Sequence, residues 1–498
     1  MKESLSKNKK YWIGLGIVFL GTVLLFAAYW IEPHTIEGIF FHLMVPADGT
    51  NYQAVLIGIG IGFPVCLALT GIVGLATSEK VFKRPLEFKR KKTGKTVTVF
   101  PCRWLKEHII KASVCFLVLS AIIFVCFAEV PMYLYHRVVK STIFDEYCVV
   151  TDASKITFPE NKKNLVYIVL ESVETDYADE QNGGEFSKNR IPRLTELAKQ
   201  NTSFSNTTLL GGAYAAPYAD WSTASLVAQT SGLPCKTAYT GENDDTFLEN
   251  VTTLYDILDA QNYYQCLLMG FVSEFAAVDL YMNAHGTDEI FDYNSAIKTG
   301  YIPADHKEFW GFEDRILFEK AKEKLTEMSQ KDTPFALTMV TMDTHFFGGY
   351  ECPDCEDNFI DDYSNAIYCS DKRIGEFIDW MKTQPFYEDT VIVLCGDHPT
   401  MDPWYLPIGS ELDGRPLYNC IINSSVEAKN TKNREFTVMD MFPTTLTALG
   451  ASWDGDRLAM GTDLFSDTPT LCEEIGTERY FEELLKRSEY FDKNFSGK

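Results

Sequence analysis

Beyond residue 140 this sequence is short of positive charge: the last 358 residues hold 28 Lys+Arg against 61 Asp+Glu. So acidic a body excludes a nucleic-acid partner, whose phosphates need a basic surface. It also argues against broad docking on anionic lipid. An anionic substrate must then meet a local positive centre, and a metal ion is the obvious candidate. Internal repeats and low-complexity runs are absent too, which leaves ordinary globular organisation. The close pair "CPDC" (Cys352, Cys355) has no second Cys pair at ligand spacing. That favours a small disulfide loop in an oxidising compartment over a zinc site. Nine of the thirteen Cys lie beyond residue 140, an odd number, so not all can pair.

The N-terminal part reverses the balance, with 17 Lys+Arg against 8 Asp+Glu in residues 1–140. Three runs there lack charge: "YWIGLGIVFLGTVLLFAAYWI" (11–31), "AVLIGIGIGFPVCLALTGIVGLAT" (54–77) and "ASVCFLVLSAIIFVCFA" (112–128), continued by "EVPMYLY". A bilayer needs roughly 20 apolar residues per helix, so the expectation is three spans, about 11–31, 54–77 and 109–135. The first run is long for a signal peptide, and further spans follow it. The tip "MKESLSKNKK" and the 78–107 loop are Lys-rich, whereas the 32–53 loop has no Lys or Arg. The positive-inside rule puts the basic segments in the cytoplasm and everything after the third span outside. The expected organisation is a multi-pass cell-membrane domain (1–135), a linker (136–163), an extracytoplasmic catalytic domain (164–465) and a tail (466–498).

From residue 164 onward, β-rich apolar runs alternate with helical patterns, the signature of an α/β domain with a mostly parallel sheet. The expected strands are 164–171, 263–270, 334–343, 390–397 and 418–425. Three of them end in, or run into, Glu171, "DTH" (343–345) and "GDHP" (396–399). Open α/β sheets bind ligands outside the carboxyl ends of their strands. Singly, each residue has an ordinary explanation as a cap, a core histidine or a turn. Together, Glu171, Asp397 and His398 offer the ligand types of a divalent ion, and His345 joins them.

The stretch "DWSTASLVAQTSGLP" (220–234) sets Ser222 and Thr223 at the start of an apolar helical pattern. A hydroxyl before a helix is usually a cap. Beside a metal, however, it can be a ligand and a nucleophile of lowered pKa, and the helix N-terminus would add partial positive charge for phosphate oxygens.

With these motifs in order, the chain resembles the membrane-anchored phosphoglycerol transferases of the alkaline phosphatase/sulfatase superfamily, which include the lipoteichoic acid synthases. The resemblance runs from about 160 to 465 through "NLVYIVLESVE", "PRLTELAKQNTSFSN", "WSTASLVAQTSGLP", "WGFEDRILF", "TMDTHFFGGYECPDC", "LCGDHP" and "TVMDMFPTTLTALG". It implies an alkaline phosphatase/sulfatase-like sandwich around a mostly parallel sheet. Glu171, Asp397 and His398, with the nucleophile Ser222 or Thr223, would hold a divalent ion, Mn²⁺ first, with Mg²⁺ or Zn²⁺ as alternatives. His345 would contact the transferred group. Ser222 is favoured over Thr223 by its place after Trp221. An Arg that lipoteichoic acid synthases use falls here near Val278, which leans toward the oligosaccharide-modifying branch, as does "CPDC". The implied activity moves sn-glycerol-1-phosphate from phosphatidylglycerol to a glycan or polyglycerolphosphate acceptor. Sulfatases carry C/S-x-P-x-R, which is absent here. Phosphoethanolamine transfer, a sulfatase-like hydrolase and an inactive glycan-binding protein are the alternatives.

Overall fold

The computed structural model describes residues 2–31, 52–77, 86–89, 96–99, 106–236, 247–346, 348–402, 405–407 and 414–495. It divides into two units, the helices up to Tyr135 and the chain from His136 onward.

In the first unit the apolar runs form helices α1 (Lys2–Ile31), α2 (Tyr52–Ala76) and α3 (Ile109–Phe127). By length and composition, Lys9–Ala28 and Ile109–Phe127 suffice to cross a membrane, while the apolar part Gly60–Ala76 is shorter. Small residues let the helices touch. A Cβ at Gly14 would meet Ile109 at 2.6 Å, and one at Gly21 would meet Phe116 at 2.6 Å, the close approach that helix pairs in lipid favour. Tyr11 ties α1 to α2 by donating to the Gly74 carbonyl at 3.0 Å. The third run does not continue unbroken to 135. Glu129 takes φ 51° and a new helix starts at Val130. The described parts of the 78–107 loop include a hairpin, β1 (Leu86–Lys89) against β2 (Thr96–Val99).

In the second unit the apolar runs become β3 (Asn164–Leu170), β4 (Tyr264–Met269), β5 (Glu289–Phe291), β6 (Phe335–Val340), β7 (Thr390–Gly396) and β8 (Asn419–Ile422). They form one sheet in the order β8-β7-β3-β6-β4-β5, parallel except for β8. Alternation explains why it is buried on both faces. Leu165, Tyr167 and Val169 enter one core, and Val166, Ile168 and Leu170 enter the other. A strand covered on both sides reads as a continuous apolar run, as β3 does. The helices α4 (Pro192–Gln200), α5 (Ser222–Ser231), α6 (Asp314–Met328) and α7 (Asp362–Met381) flank the sheet.

Residues 136–163 and the described residues 466–495, read from sequence as a linker and part of a tail, pack within this unit. Phe144 is fully buried against Phe491, with ring centroids 5.1 Å apart. Tyr480 and Leu484 fill the same core. The two segments find partners in each other and in the rest of the unit, as where Val149 N donates to the Ala459 carbonyl at 2.9 Å and Phe158 meets Tyr263.

Candidate functional site

Three adjacent parallel strands, β7, β3 and β6, deliver their carboxyl ends to one place. Glu171 follows β3, Asp397 and His398 follow β7, and Asp343 to His345 follow β6. The approach of β7 requires glycine, because a Cβ on Gly396 would lie 2.2 Å from the Val173 carbonyl oxygen. Ser172 completes the junction in a left-handed conformation, φ 52°. Its N–H donates to Asp397 Oδ1 at 2.8 Å and its hydroxyl to Glu171 Oε1 at 2.6 Å. Non-glycine residues are held in that region at a cost of about 1–3 kcal/mol, here at a point that fixes two carboxylates at once.

Ser222 is the first residue of α5, and the N-cap position belongs to Trp221, whose carbonyl accepts from Ser225 N at 2.8 Å. The serine hydroxyl is thus free of capping. It donates to Glu171 Oε2 at 3.2 Å and lies 3.3 Å from His398 Nε2. The helix ends where Gly232 adopts φ 68°, a left-handed close that glycine accepts without strain. Thr223, one residue on, is buried and lines the neighbouring pocket.

Glu171, Asp397 and His398 each offer one ligand atom, all within 4.8 Å of one another. The donor set fits a divalent ion. Asp397 Oδ2 is buried with no hydrogen-bond partner, a costly state for a charged oxygen. His398 Nδ1 faces the Pro399 carbonyl at 2.9 Å. That oxygen can only accept, so Nδ1 holds a proton and His398 turns its Nε2 toward the cluster. Burial, and then Glu171, pushes the Asp397 carboxyl up to about 7. Burial opposes charge on His398, but Asp397 and Glu171 outweigh it and raise the imidazole to about 9. Glu171 is pulled the other way. Burial penalises its charge, yet His398, His345 and the Ser172 and Ser222 hydroxyls leave it below its ordinary value. The cluster calls for positive charge, and among the described residues no Lys or Arg pairs with Glu171 or Asp397.

His345 lies across a pocket from this cluster. Nδ1 donates to the Phe346 carbonyl at 2.5 Å, and the ring meets Trp310 edge-on at 4.7 Å. Burial lowers its pKa, which favours a neutral imidazole with a free Nε2. The pocket is about 550 Å³ including its open mouth. Glu171, Ser222, Thr223 and His345 supply its polar groups, while Met269, Phe271, Phe275, Val278, Trp310 and Met342 are among its apolar walls. Val278, noted from sequence, therefore faces the reaction space.

Ser172 was not foreseen from sequence, and neither was Asp314. The Asp314 carboxylate accepts from Met342 N at 2.9 Å and Asp343 N at 3.0 Å, fixing the start of the His345 turn. It lies within the motif "WGFEDRILF", which also holds Trp310. Cys352 and Cys355 are unbonded, with their sulfurs 3.7 Å apart.

Compared with known families, residues 163–451 match the one described as Sulfatase. Phosphoglycerol transferase I of Escherichia coli (strain SMS-3-5 / SECEC) is 29% identical over 303 residues, which cover 59% of this chain and 38% of that protein. The enzyme of the same name from Salmonella newport (strain SL254) matches at the same 29% and the same coverage. This chain thus spans well under half of those relatives. Among solved structures, the lipoteichoic acid synthase LtaP from Listeria monocytogenes superimposes with a TM-score of 0.50 at 20% identity, covering 65% of this chain and 80% of that one.

Proposed function

The chain belongs to the sulfatase family and has the alkaline phosphatase/sulfatase fold with a mostly parallel sheet, and from that premise we propose that it is a membrane-anchored phosphoglycerol transferase. The observation that carries this is the uncapped Ser222 hydroxyl at a helix start, 3.2 Å from Glu171 and 3.3 Å from His398. The phosphoglycerol transferase I relatives suggest the transferred group.

Glu171, Asp397 and His398, with Ser222, would hold a divalent ion, Mn²⁺ first. When bound, such an ion neutralises charge on phosphoryl oxygens and lowers the pKa of a coordinated hydroxyl. Ser222 Oγ gives its proton to neutral His345 and attacks phosphorus of phosphatidylglycerol. The P–O bond to diacylglycerol breaks, and His345 passes that proton to the leaving oxygen, which departs as the free alcohol. The N-terminus of α5 adds partial positive charge beside the phosphoryl group. Neutral His345 then takes a proton from the acceptor hydroxyl, a glycan or glycerophosphate polymer, as that oxygen displaces Ser222, and returns it to Ser222 Oγ. Membrane helices suit a donor that stays in its bilayer, with the catalytic unit extracytoplasmic.

The pocket walls favour a second reading. Phe271, Phe275 and Trp310 line the space beside Ser222, and among the pocket's lining residues there is no Lys or Arg. Aromatic faces attract ammonium groups, by about 0.5–2 kcal/mol each, so phosphoethanolamine is the alternative headgroup.

Full-length chain with Mn²⁺ and vesicles of headgroup-labelled phosphatidylglycerol, or of labelled phosphatidylethanolamine, separates the two. The expected result is label on Ser222 and release of diacylglycerol from the first donor only. Label from phosphatidylethanolamine alone selects the second reading. Transfer that survives exhaustive EDTA, or no adduct from either lipid, overturns the mechanism.

A further inference from the structure

A second cluster lies beyond the His345 turn, outside the reaction pocket. Cys352 and Cys355 sit on the loop that leaves the turn, and Cys369 projects from α7, seventeen residues after Cys352. The sulfur of Cys352 is 3.8 Å from that of Cys369 and 3.7 Å from that of Cys355. All three lie within 4.8 Å of one another, with Cys352 and Cys369 buried. "CPDC" lacks a second pair in sequence, and the fold provides its partner as a single cysteine on a helix.

The spacing is informative. Ligand sulfurs at about 2.3 Å from a tetrahedral zinc ion stand about 3.8 Å apart along each edge, close to both separations here. A disulfide brings sulfurs to about 2.05 Å and would leave the third cysteine unused. Charge agrees with a metal as well. Three thiolates around a divalent ion carry one net negative charge, and the Arg373 guanidinium donates to Cys352 Sγ at 3.2 Å and lies 3.9 Å from Cys369 Sγ. The half-buried guanidinium also lies 3.5 Å from Asp354 Oδ2, and its positive charge against two sulfurs favours their thiolate form.

We propose that Cys352, Cys355 and Cys369 form a thiolate site for a zinc-type ion, separate from the Glu171 cluster, which fastens the loop after His345 to α7. The soft sulfur donors select a thiophilic ion where the carboxylates of the reaction site do not. The fastening matters because this loop continues from the His345 turn, where Tyr350 N donates to the Asp343 carbonyl at 2.7 Å and Gly349 N to the His345 carbonyl at 3.1 Å. The proposal holds whatever group Ser222 transfers.

The test uses the full-length chain in detergent, loaded with Zn²⁺ or Co²⁺. With zinc bound, peptides containing Cys352, Cys355 and Cys369 should resist thiol alkylation, and a chelator should open all three together. The cobalt form should show near-ultraviolet thiolate-to-metal charge-transfer absorption in the wild type and in Asp397→Ala, but not in Cys369→Ser. Hydrogen exchange over residues 348–358 should quicken in Cys369→Ser while β3 and β7 stay protected. A disulfide joining any two of the three in freshly purified protein overturns the site. So does full alkylation at zinc saturation, or a cobalt band that persists in Cys369→Ser.

Discussion

Ser222 and Thr223 are neighbours with different tasks. Only the first reaches both Glu171 and His398, because successive side chains at a helix start diverge by about 100°. Ser222→Ala should lower transfer on the order of 10³-fold or more, as removal of a nucleophile does, and abolish the adduct seen by intact mass. Thr223→Ala should leave measurable turnover and cost about 1 kcal/mol of stability, read from thermal unfolding. In the proposed mechanism His345 sets the pH response. Its partly buried imidazole has a lowered pKa and is needed neutral, so the rate should be full above that pKa and fall as pH drops through it. The acid limb of kcat against pH should thus lie below 6.5, the ordinary histidine value, and vanish in His345→Gln. A limb above 6.5 would remove His345 from the base role. At this scale the sequence announces residue types at strand ends but not their supports. Ser172 donates its own N–H to a carboxylate 225 positions away, the Asp314 carboxylate accepts from an N–H 28 positions away, and nothing in a local pattern encodes that.

Among the elements, α4 illustrates how a helix end is completed from outside. Its N-cap is Ile191, which offers no side-chain acceptor, and Pro192 already removes one N–H. The carboxylate of Asp371 on α7 accepts from Arg193 N at 2.9 Å and Leu194 N at 2.7 Å instead. Asp371→Ala should destabilise the unit by about 1–3 kcal/mol, measurable by denaturant titration, while the headgroup preference of the remaining activity stays unchanged. Loss within a few tenths of a kcal/mol would show that water satisfies those N–H groups equally well. The long strands were legible because β3, β4, β6 and β7 are apolar runs bounded by polar residues. β5 was not, since three residues, Glu289–Phe291, carry too little periodicity to be recognised. The capping carboxylate lies 178 positions from Arg193, beyond any turn or box motif.

For the whole molecule, charge remains the guide. The Lys-rich tip and 78–107 loop, against a 32–53 loop without Lys or Arg, carry the proposed orientation, with residues 136–498 outside the cytoplasm. Protease added to intact cells should cut within residues 136–498 and spare the 78–107 segment. Cutting that requires permeabilised membranes would reverse the orientation and remove the proposed access to donor lipid. The order of the strands has a consequence in time. β3 is paired on both sides in the finished sheet, yet β6 and β7 follow it in the chain by more than 160 and 210 residues. Such long-range parallel pairing closes late, after large loops have been drawn in. During synthesis Glu171 and Ser222 exist well before Asp397 and His398 have been made. Until β7 is inserted beside β3, the serine is an unremarkable hydroxyl. The order of synthesis would thereby delay the proposed transfer until the sheet is nearly whole.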